Sequence, residues 1–354
     1  MPDHIDIPII DIASPSPSTA KSLVDAASKY GFVFIRNSHE SGNGIPPKDL
    51  AGMFDLSKDF FQSPEEVKEQ CSIHSAKSGK NRGWLSMHTE TLDPNHQKRG
   101  DFKEAFNFGE FTPSGHAQQP LCGPLAPAEP RIARFYDSCH ALCNWILQVF
   151  ARGLEVSQEA GGEEWFSSRH DRTKGPSGSI LRFLYYPSIP HPTTPPDADK
   201  TDIRAGAHSD YGSITLLFQL PGQPGLEILT PSGTWAPVPV NPANDPTPPI
   251  LVNIGDLLSY WTNGLLKSTV HRVIFPAGEM SDRYSIAYFC HPLDEAELVA
   301  VPSKQVGEFE GALEEGLLER LGGGKVEEGK RSLTAKEHLE RRLRATYGVK
   351  QQGG

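Results

Sequence analysis

Ala207-His208-Ser209-Asp210 sets an imidazole and a carboxylate two residues apart. On an extended strand, residues i and i+2 face the same side, so both side chains can reach one ion. A third ligand must come from elsewhere, and His271 offers it from the apolar run Val270-His271-Arg272-Val273. Two histidines and one carboxylate on one face of a metal leave coordination positions open. That donor set suits non-haem iron(II), whose chemistry needs room for O2 and for a chelating cosubstrate. His-x-Asp alone recurs by chance in many loops, and the distal histidine strengthens it only modestly. A β-barrel stabilised by zinc or manganese is a competing use of the same residues.

Arg283-Tyr284-Ser285 adds a second kind of chemistry. Arg and Ser two apart on a strand share a face, and together they can grip a carboxylate. The guanidinium supplies a two-pronged charged hydrogen bond and the hydroxyl a third contact. A keto dicarboxylate such as 2-oxoglutarate would chelate Fe(II) with one end and need such an anchor for the other. In isolation Arg283 reads as a surface ion pair and Ser285 as an edge-strand hydroxyl. Their position after His271 favours the anchor.

The elements that must position these residues are legible in outline. Ile7 to Ile10 reads as a short strand, followed by a helix ending at Tyr30 and, after Gly31, a buried strand Phe32 to Ile35. Leu50, Met53, Phe54, Phe60 and Phe61 mark an amphipathic helix. Ser63-Pro64-Glu65-Glu66 supplies an N-cap, an N1 proline and first-turn carboxylates for a short one. Ile132, Phe135, Cys139, Leu142, Ile146 and Val149 keep helical spacing over five turns, a packing spine for a sheet. Strand-like runs then follow at 180–186, 213–219, 226–229, 250–254, 268–275 and 284–289, with Pro231-Ser232-Gly233 as a hairpin. Short strands in succession without intervening helices predict a jelly roll or barrel. Thr334 and Glu337 form a capping box for a terminal helix through Tyr347, after a flexible break at Gly322 to Gly324. The expected fold is mixed α/β with a β-rich core. Residues 1–175 form a supporting α/β region, 176–303 the catalytic core and 304–354 a helical segment, all one catalytic unit.

Composition narrows the class. Thirty-one prolines and 33 glycines among 354 residues predict many turns, against a helical bundle. A formal charge of −10 would repel a phosphate backbone, so nucleic acid is a poor partner. No long apolar run or secretory pattern occurs, which predicts a cytoplasmic protein with no membrane partner. The five cysteines form an odd set without zinc-like spacing, and Cys139 with Cys143 reads as a reduced core pair.

The order His-x-Asp, distal His, Arg-x-Ser resembles the 2-oxoglutarate/iron(II) dioxygenases of the isopenicillin N synthase-like group. The likeness extends along nearly the whole chain, through IDIPIIDIAS (5–14), AASKYGFVFIRN (26–37) and FDLSKDFFQSPEEVK (54–68). RAGAHSDYGSITLLFQ (204–219), KSTVHRV (267–273) and RYSIAYFC (283–290) look most like the fungal thymine dioxygenase-like enzymes, as do the segments 81–84 and 103–106. The resemblance implies a double-stranded β-helix, Fe(II) on His208, Asp210 and His271, and 2-oxoglutarate on Arg283, Ser285 and Tyr186. It implies oxidation of a substrate C–H bond with succinate and CO2 as coproducts. Many relatives carry Asn where this chain has Leu184, which puts one polar contact to the cosubstrate in doubt. The gap between Asp210 and His271 is slightly long, through the Pro-rich stretch 241–249.

Within that group Phe289, Tyr211, Arg182, Asn81 and Arg82 are candidates to line a small-molecule pocket. Phe289 shares a strand face with Arg283, whereas Tyr211 points away from Asp210's side unless the turn at Gly212 rotates it. Core packing for the aromatics and an ion pair for Arg182 are the plain alternatives. His39, His74, His88, His140 and His291 show no partner pattern and read as solvated or packed. A pyrimidine base such as thymine and a fungal secondary metabolite are both candidate substrates. An oxidase of this fold that uses no 2-oxoglutarate, and an inactive binding protein, are the competing functions.

Overall fold

The computed structural model of the protein describes residues 5–38, 42, 44–93, 97, 100–188, 203–274, 281–309 and 332–347. Its strands sort into two sheets. The larger runs in the order β1 (Ile9–Ile10), β2 (Phe32–Ile35), β10 (Ile250–Ile254), β7 (Ile214–Gln219), β12 (Arg283–Cys290), β5 (Ile180–Tyr186), β4 (Glu104–Phe108) and β3 (Gly83–Leu85). The smaller holds β6 (Ile203–His208), β11 (His271–Ile274), β8 (Leu226–Leu229) and β9 (Trp235–Pro237). All pairings are antiparallel except β1 with β2. This is a mixed α/β fold with a jelly-roll core.

Strand β12 shows how one sequence serves both faces. Tyr284, Ile286, Tyr288 and Cys290 enter the large core shared with the helices, while Ala287 belongs to a smaller core between the sheets. Arg283, Ser285 and Phe289 alternate with them and face the chamber between the sheets. A strand buried on both sides reads as a continuous apolar run, broken only where an inward position carries chemistry.

The helices back the larger sheet. Ahead of β2, α1 (Pro17–Tyr30) starts behind Ser16, whose Oγ accepts from Thr19 N at 3.1 Å. It stops at Gly31, with φ 68° and no room for a Cβ against Lys267 O and Thr269 Oγ1. Glycine alone suits both demands. Following α2 (Pro47–Phe61) and α3 (Glu65–Lys68), α4 (Glu129–Gly153) buries the whole predicted spine from Ile132 to Val149. Short turns α5 (Glu164–Ser167), α6 (Asp256–Trp261) and α7 (Lys304–Gly307) precede the terminal helix α8 (Ala335–Tyr347). The predicted capping box closes α8: Thr334 N donates to Glu337 Oε2 and Glu337 N to Thr334 Oγ1.

Several expectations are corrected. The run 7–10 shortens to Ile9–Ile10, and of the run 268–275 residues 268–270 are not strand, His271–Ile274 are, and 275 lies outside the described residues. Ser63 does not cap α3; its hydroxyl donates to Asp59 O, and Pro64 takes the N-cap place. Strands β3, β4, β6 and β9 were not signalled, and α6 interrupts the strand series. Consequently the N-terminal region does more than support the core, because β2, β3 and β4 are strands of the catalytic sheet itself. Cys71 and Cys122 are joined by a disulfide, with Cα atoms 6.1 Å apart, a pairing the spacing did not predict. Cys139 and Cys143 are free and buried, as expected. The predicted break at Gly322 to Gly324 lies outside the described residues. Among the described residues no helix is long and apolar enough to cross a membrane.

Where α8 meets the sheet, burial pushes the His338 imidazole down to about 4 and that of His291 to about 3. Both titrate near 6.5 when unfolded, so the unfolded chain takes up protons first as pH falls below that value. The stability they confer is complete above about pH 6.5 and is lost toward pH 4. Thermal melts should therefore show a falling Tm between pH 7 and pH 5. His338→Leu should flatten that slope; an unchanged slope would show that His338 does not titrate in this window.

Candidate active site

His208 is the last residue of β6 and His271 the first of β11, and the two are direct partners across the ladder. Their ring centroids lie 4.4 Å apart. Asp210 stands beyond the end of β6, so a turn rather than a strand face delivers the carboxylate. That turn is pinned by α6: Asp256 N donates to Asp210 O at 2.8 Å and Leu257 N to Gly212 O at 3.0 Å. Gly212 is needed there, since a Cβ would lie 2.6 Å from Cys290 O.

The three side chains converge as a metal-binding set. Asp210 Oδ1 lies 3.9 Å from His208 Nε2 and 3.7 Å from His271 Nε2. Each imidazole has Nδ1 against a backbone carbonyl, Gly206 O at 2.7 Å and Thr269 O at 3.1 Å. A carbonyl only accepts, so Nδ1 carries the hydrogen and Nε2 presents its lone pair to the site. Burial, reinforced by His271, pushes His208 down to about 4, leaving it neutral as a metal ligand must be. Burial works against ionisation of Asp210, but the two imidazoles and hydrogen bonds from Asn253 and Thr215 hold its carboxyl below the usual range.

An inner chamber continues from these residues along the larger sheet. Arg283 is 3 % exposed, yet among the described residues no carboxylate lies within ion-pair reach of it. Its Nη2 donates to Gln219 Oε1 at 3.1 Å and its Nη1 to Ser285 Oγ at 3.4 Å, while Nε is buried without a hydrogen-bond partner. Tyr186, directly across the β5–β12 ladder, places its ring 5.1 Å from the guanidinium. Burial raises the Tyr186 phenol, so it stays a donor. Leu184 pairs with Ser285 and lines the same chamber, so the position where many relatives carry Asn is apolar here. A buried cation without an anion costs several kcal/mol, roughly, unless a ligand completes it. The chamber thus fits a carboxylate at its far end and a metal at its near end.

A second, outer pocket opens on the metal side. Asn81, Arg182, Tyr211 and Phe289 line it together with His208 and Asp210. Tyr211 reaches it because the turn at Gly212 rotates the chain away from a regular strand. Arg82 does not line it; Nη1 turns to Gln118 Oε1 at 3.0 Å. Arg182 donates from Nε to Asn107 Oδ1 at 2.6 Å and from Nη2 to Glu90 Oε1 at 2.8 Å. Lys103 joins the other Glu90 oxygen at 2.9 Å and also pairs with Asp101. Burial opposes ionisation of Glu90, yet Arg182 and Lys103 hold its carboxyl far below the usual range.

Sequence reasoning missed Glu90 and Asn107, and it set His291 aside although this residue lines the outer pocket. It also missed that α8 forms a wall through Leu339, Leu343 and Thr346. The four-residue spacing of those leucines was the available signal. Arg342 seats the helix, with its guanidinium 4.3 Å from the Tyr211 ring and Nη2 donating to Ser209 O at 3.4 Å. Tyr211 and Thr346 share a hydroxyl hydrogen bond.

A jelly roll enclosing two histidines and a carboxylate beside a buried, anion-seeking arginine defines a metal-dependent oxygenase. The chain belongs to the 2OG-Fe(II) oxygenase superfamily, whose model matches residues 177–292. A model of the N-terminal region of the non-haem dioxygenase in morphine synthesis matches residues 7–127. The protein is 34% identical over 350 residues to UPF0676 protein C1494.01 of Schizosaccharomyces pombe, covering 97% of this chain and 94% of that one. It is 30% identical to proline hydroxylase buaE of Petromyces alliaceus, covering 80% and 85%. Its structure is similar to that of a full-length Neurospora crassa protein solved in complex with alpha-KG and thymine, with TM-score 0.72, 28% identity and 96% of each chain covered. The enzyme is a 2-oxoglutarate-dependent dioxygenase, using Fe(II), 2-oxoglutarate and O2.

Removing a donor from the triad should empty it. Asp210→Ala and His271→Ala are each expected to lower Mn(II) affinity more than about 100-fold, beyond the 10–100-fold typical of outer contacts. Anaerobic titration followed by electron paramagnetic resonance measures this, and wild-type affinity in either variant would mean the metal sits elsewhere.

Proposed function

We propose that His208, Asp210 and His271 hold Fe(II), while Arg283, Ser285 and Tyr186 hold the far carboxylate of 2-oxoglutarate. In this reading the enzyme oxidises a C–H bond of a small, uncharged molecule carrying adjacent carbonyl and N–H groups, releasing succinate and CO2. Arg283 carries the cosubstrate assignment, because its buried guanidinium has no carboxylate partner among the described residues and so favours an anionic ligand. Bound Fe(II) and 2-oxoglutarate supply O2 activation and the oxidative cleavage of the keto acid. The protein's own residues orient both and exclude water.

Charge supports an uncharged substrate. The dianionic cosubstrate is matched by Arg283 and by a divalent ion already half neutralised by Asp210. Arg182 in the outer pocket is matched by Glu90, and Lys103, which lines the inner chamber, by Glu90 and Asp101. A free amino acid would bring a carboxylate and an ammonium, while among the described residues of that pocket Arg182 and Glu90 already pair with each other. Instead, amide groups of Asn81 and Asn107, the Arg182 guanidinium and the Glu90 carboxylate offer donors and acceptors side by side. Phe289 and Tyr211 provide flat apolar surface beside them. A pyrimidine base such as thymine meets these demands, and the thymine complex of the similar Neurospora crassa protein lends support. Arg182, Asn81, Phe289 and Tyr211 are its proposed contacts; Arg82 is not. Residues 1–175, 176–303 and 304–354 act as one catalytic unit, with α8 covering the pocket.

The test is substrate-dependent succinate release across a panel of thymine, uracil, free proline and fungal peptide and polyketide intermediates. Neutral cyclic amides should be turned over and free amino acids should not. Turnover of the intermediates alone would replace the pyrimidine reading with a secondary-metabolite one. Oxygen consumption without succinate would establish an oxidase that uses no 2-oxoglutarate. Arg283→Gln should cost about 2–5 kcal/mol of cosubstrate binding, thirtyfold or more in the KM for 2-oxoglutarate. Mn(II) affinity should stay unchanged in that variant.

A further inference from the structure

Asp210 spends its two carboxylate oxygens differently. Oδ1 faces His208 Nε2 and His271 Nε2. Oδ2 accepts two short hydrogen bonds, from Thr215 Oγ1 and from Asn253 Nδ2, each at 2.6 Å. Thr215 is 4 % exposed and Asn253 3 %. Neither belongs to the smaller sheet that carries the histidines. They sit on β7 and β10 of the larger sheet, where they are direct partners across the antiparallel ladder. Their side chains therefore leave the same face side by side and close on one oxygen atom.

A carboxylate oxygen offers about two lone-pair sites. Both donors on Oδ2 fill them, so that oxygen has nothing left for a cation, whereas Oδ1 stays available. One hydrogen bond would still let the carboxylate swing about its Cβ–Cγ bond. Two donors from fixed strand positions hold its plane. We propose that Thr215 and Asn253 are positioning residues that confine Asp210 to metal coordination through Oδ1 alone. This rests on the reading of His208, Asp210 and His271 as the metal ligands. The clamp keeps free the coordination position that a second carboxylate oxygen would occupy. With 2-oxoglutarate taking two positions, that one is needed for O2. The clamp also ties the two sheets together at the metal, because donors from one sheet grip a ligand carried by the turn that follows a strand of the other.

The test uses full-length protein loaded anaerobically. Thr215→Val keeps the shape and removes the donor, Asn253→Ala removes the other, and Thr215→Ser restores a hydroxyl. Thr215→Val and Asn253→Ala should each weaken Mn(II) affinity about 10–100-fold, with Thr215→Ser close to wild type. The visible spectrum of the Co(II)-loaded double variant should shift toward a higher coordination number as the second oxygen engages. Leu251→Val, a packing change on the same sheet, should move melting temperature but not metal affinity or the Co(II) spectrum. A double variant with wild-type metal affinity and Co(II) spectrum would overturn the clamp. Wild-type affinity in Asp210→Ala would overturn the ligand assignment instead, so the two failures are distinguishable.

Discussion

Pairing of β6 with β11 across the smaller sheet is the contact on which the site depends, because it sets His208 directly opposite His271. Each ring is then aimed by a backbone carbonyl, which leaves both Nε2 atoms facing inward. Nothing in that ladder supplies the carboxylate. Asp210 arrives on a turn held by backbone bonds to α6 and by the close approach of Gly212 to Cys290 O. Thr215 and Asn253 then fasten it from the opposite sheet. The candidate metal site is thus a junction between the sheets, and its geometry depends on their separation.

The larger sheet divides its labour by strand parity. Outward positions of β12 pack into the core with α4, and inward positions carry Arg283, Ser285 and Phe289. Burial makes those inward polar groups costly, and each cost marks a function. Arg283 lacks a carboxylate partner among the described residues and so favours an anion. Arg182 of the outer pocket is matched by Glu90, and Lys103 of the inner chamber by Glu90 and Asp101. The same physical rule, that buried charge must be compensated, distinguishes Arg283 in the inner chamber from the paired Arg182 of the outer pocket.

Much of this was legible in the residue order. The helices α1, α2, α4 and α8 followed from periodicity and capping, and most strands of the larger sheet from short apolar runs. Strand β6 (Ile203–His208) was not legible: Ile203 is its one β-branched residue, and pairing with β11 holds the rest. Tyr211 was a pocket candidate on condition that the turn at Gly212 rotated it off a regular strand, and the chain does turn there, which brings it to the outer pocket. Likewise, nothing in the spacing of Cys71 and Cys122 brings them together; the packing of the loop after α3 does.

What the sequence determined by itself was the donor set and its order. His208, Asp210, His271, Arg283 and Ser285 have side-chain chemistries that few other uses would require together. Local rules of strand alternation then sufficed to put Arg283 and Ser285 on one face. Tertiary structure alone decided the rest: which carboxylate oxygen faces the metal, which charges cancel, and which part of a distant helix closes the pocket. Glu90, Asn107, Asn253 and Leu339 lie far from the metal ligands along the chain and carry no motif. Their roles exist only because sheet register and helix packing bring them to the site, and residue spacing along the chain does not encode such long-range contacts.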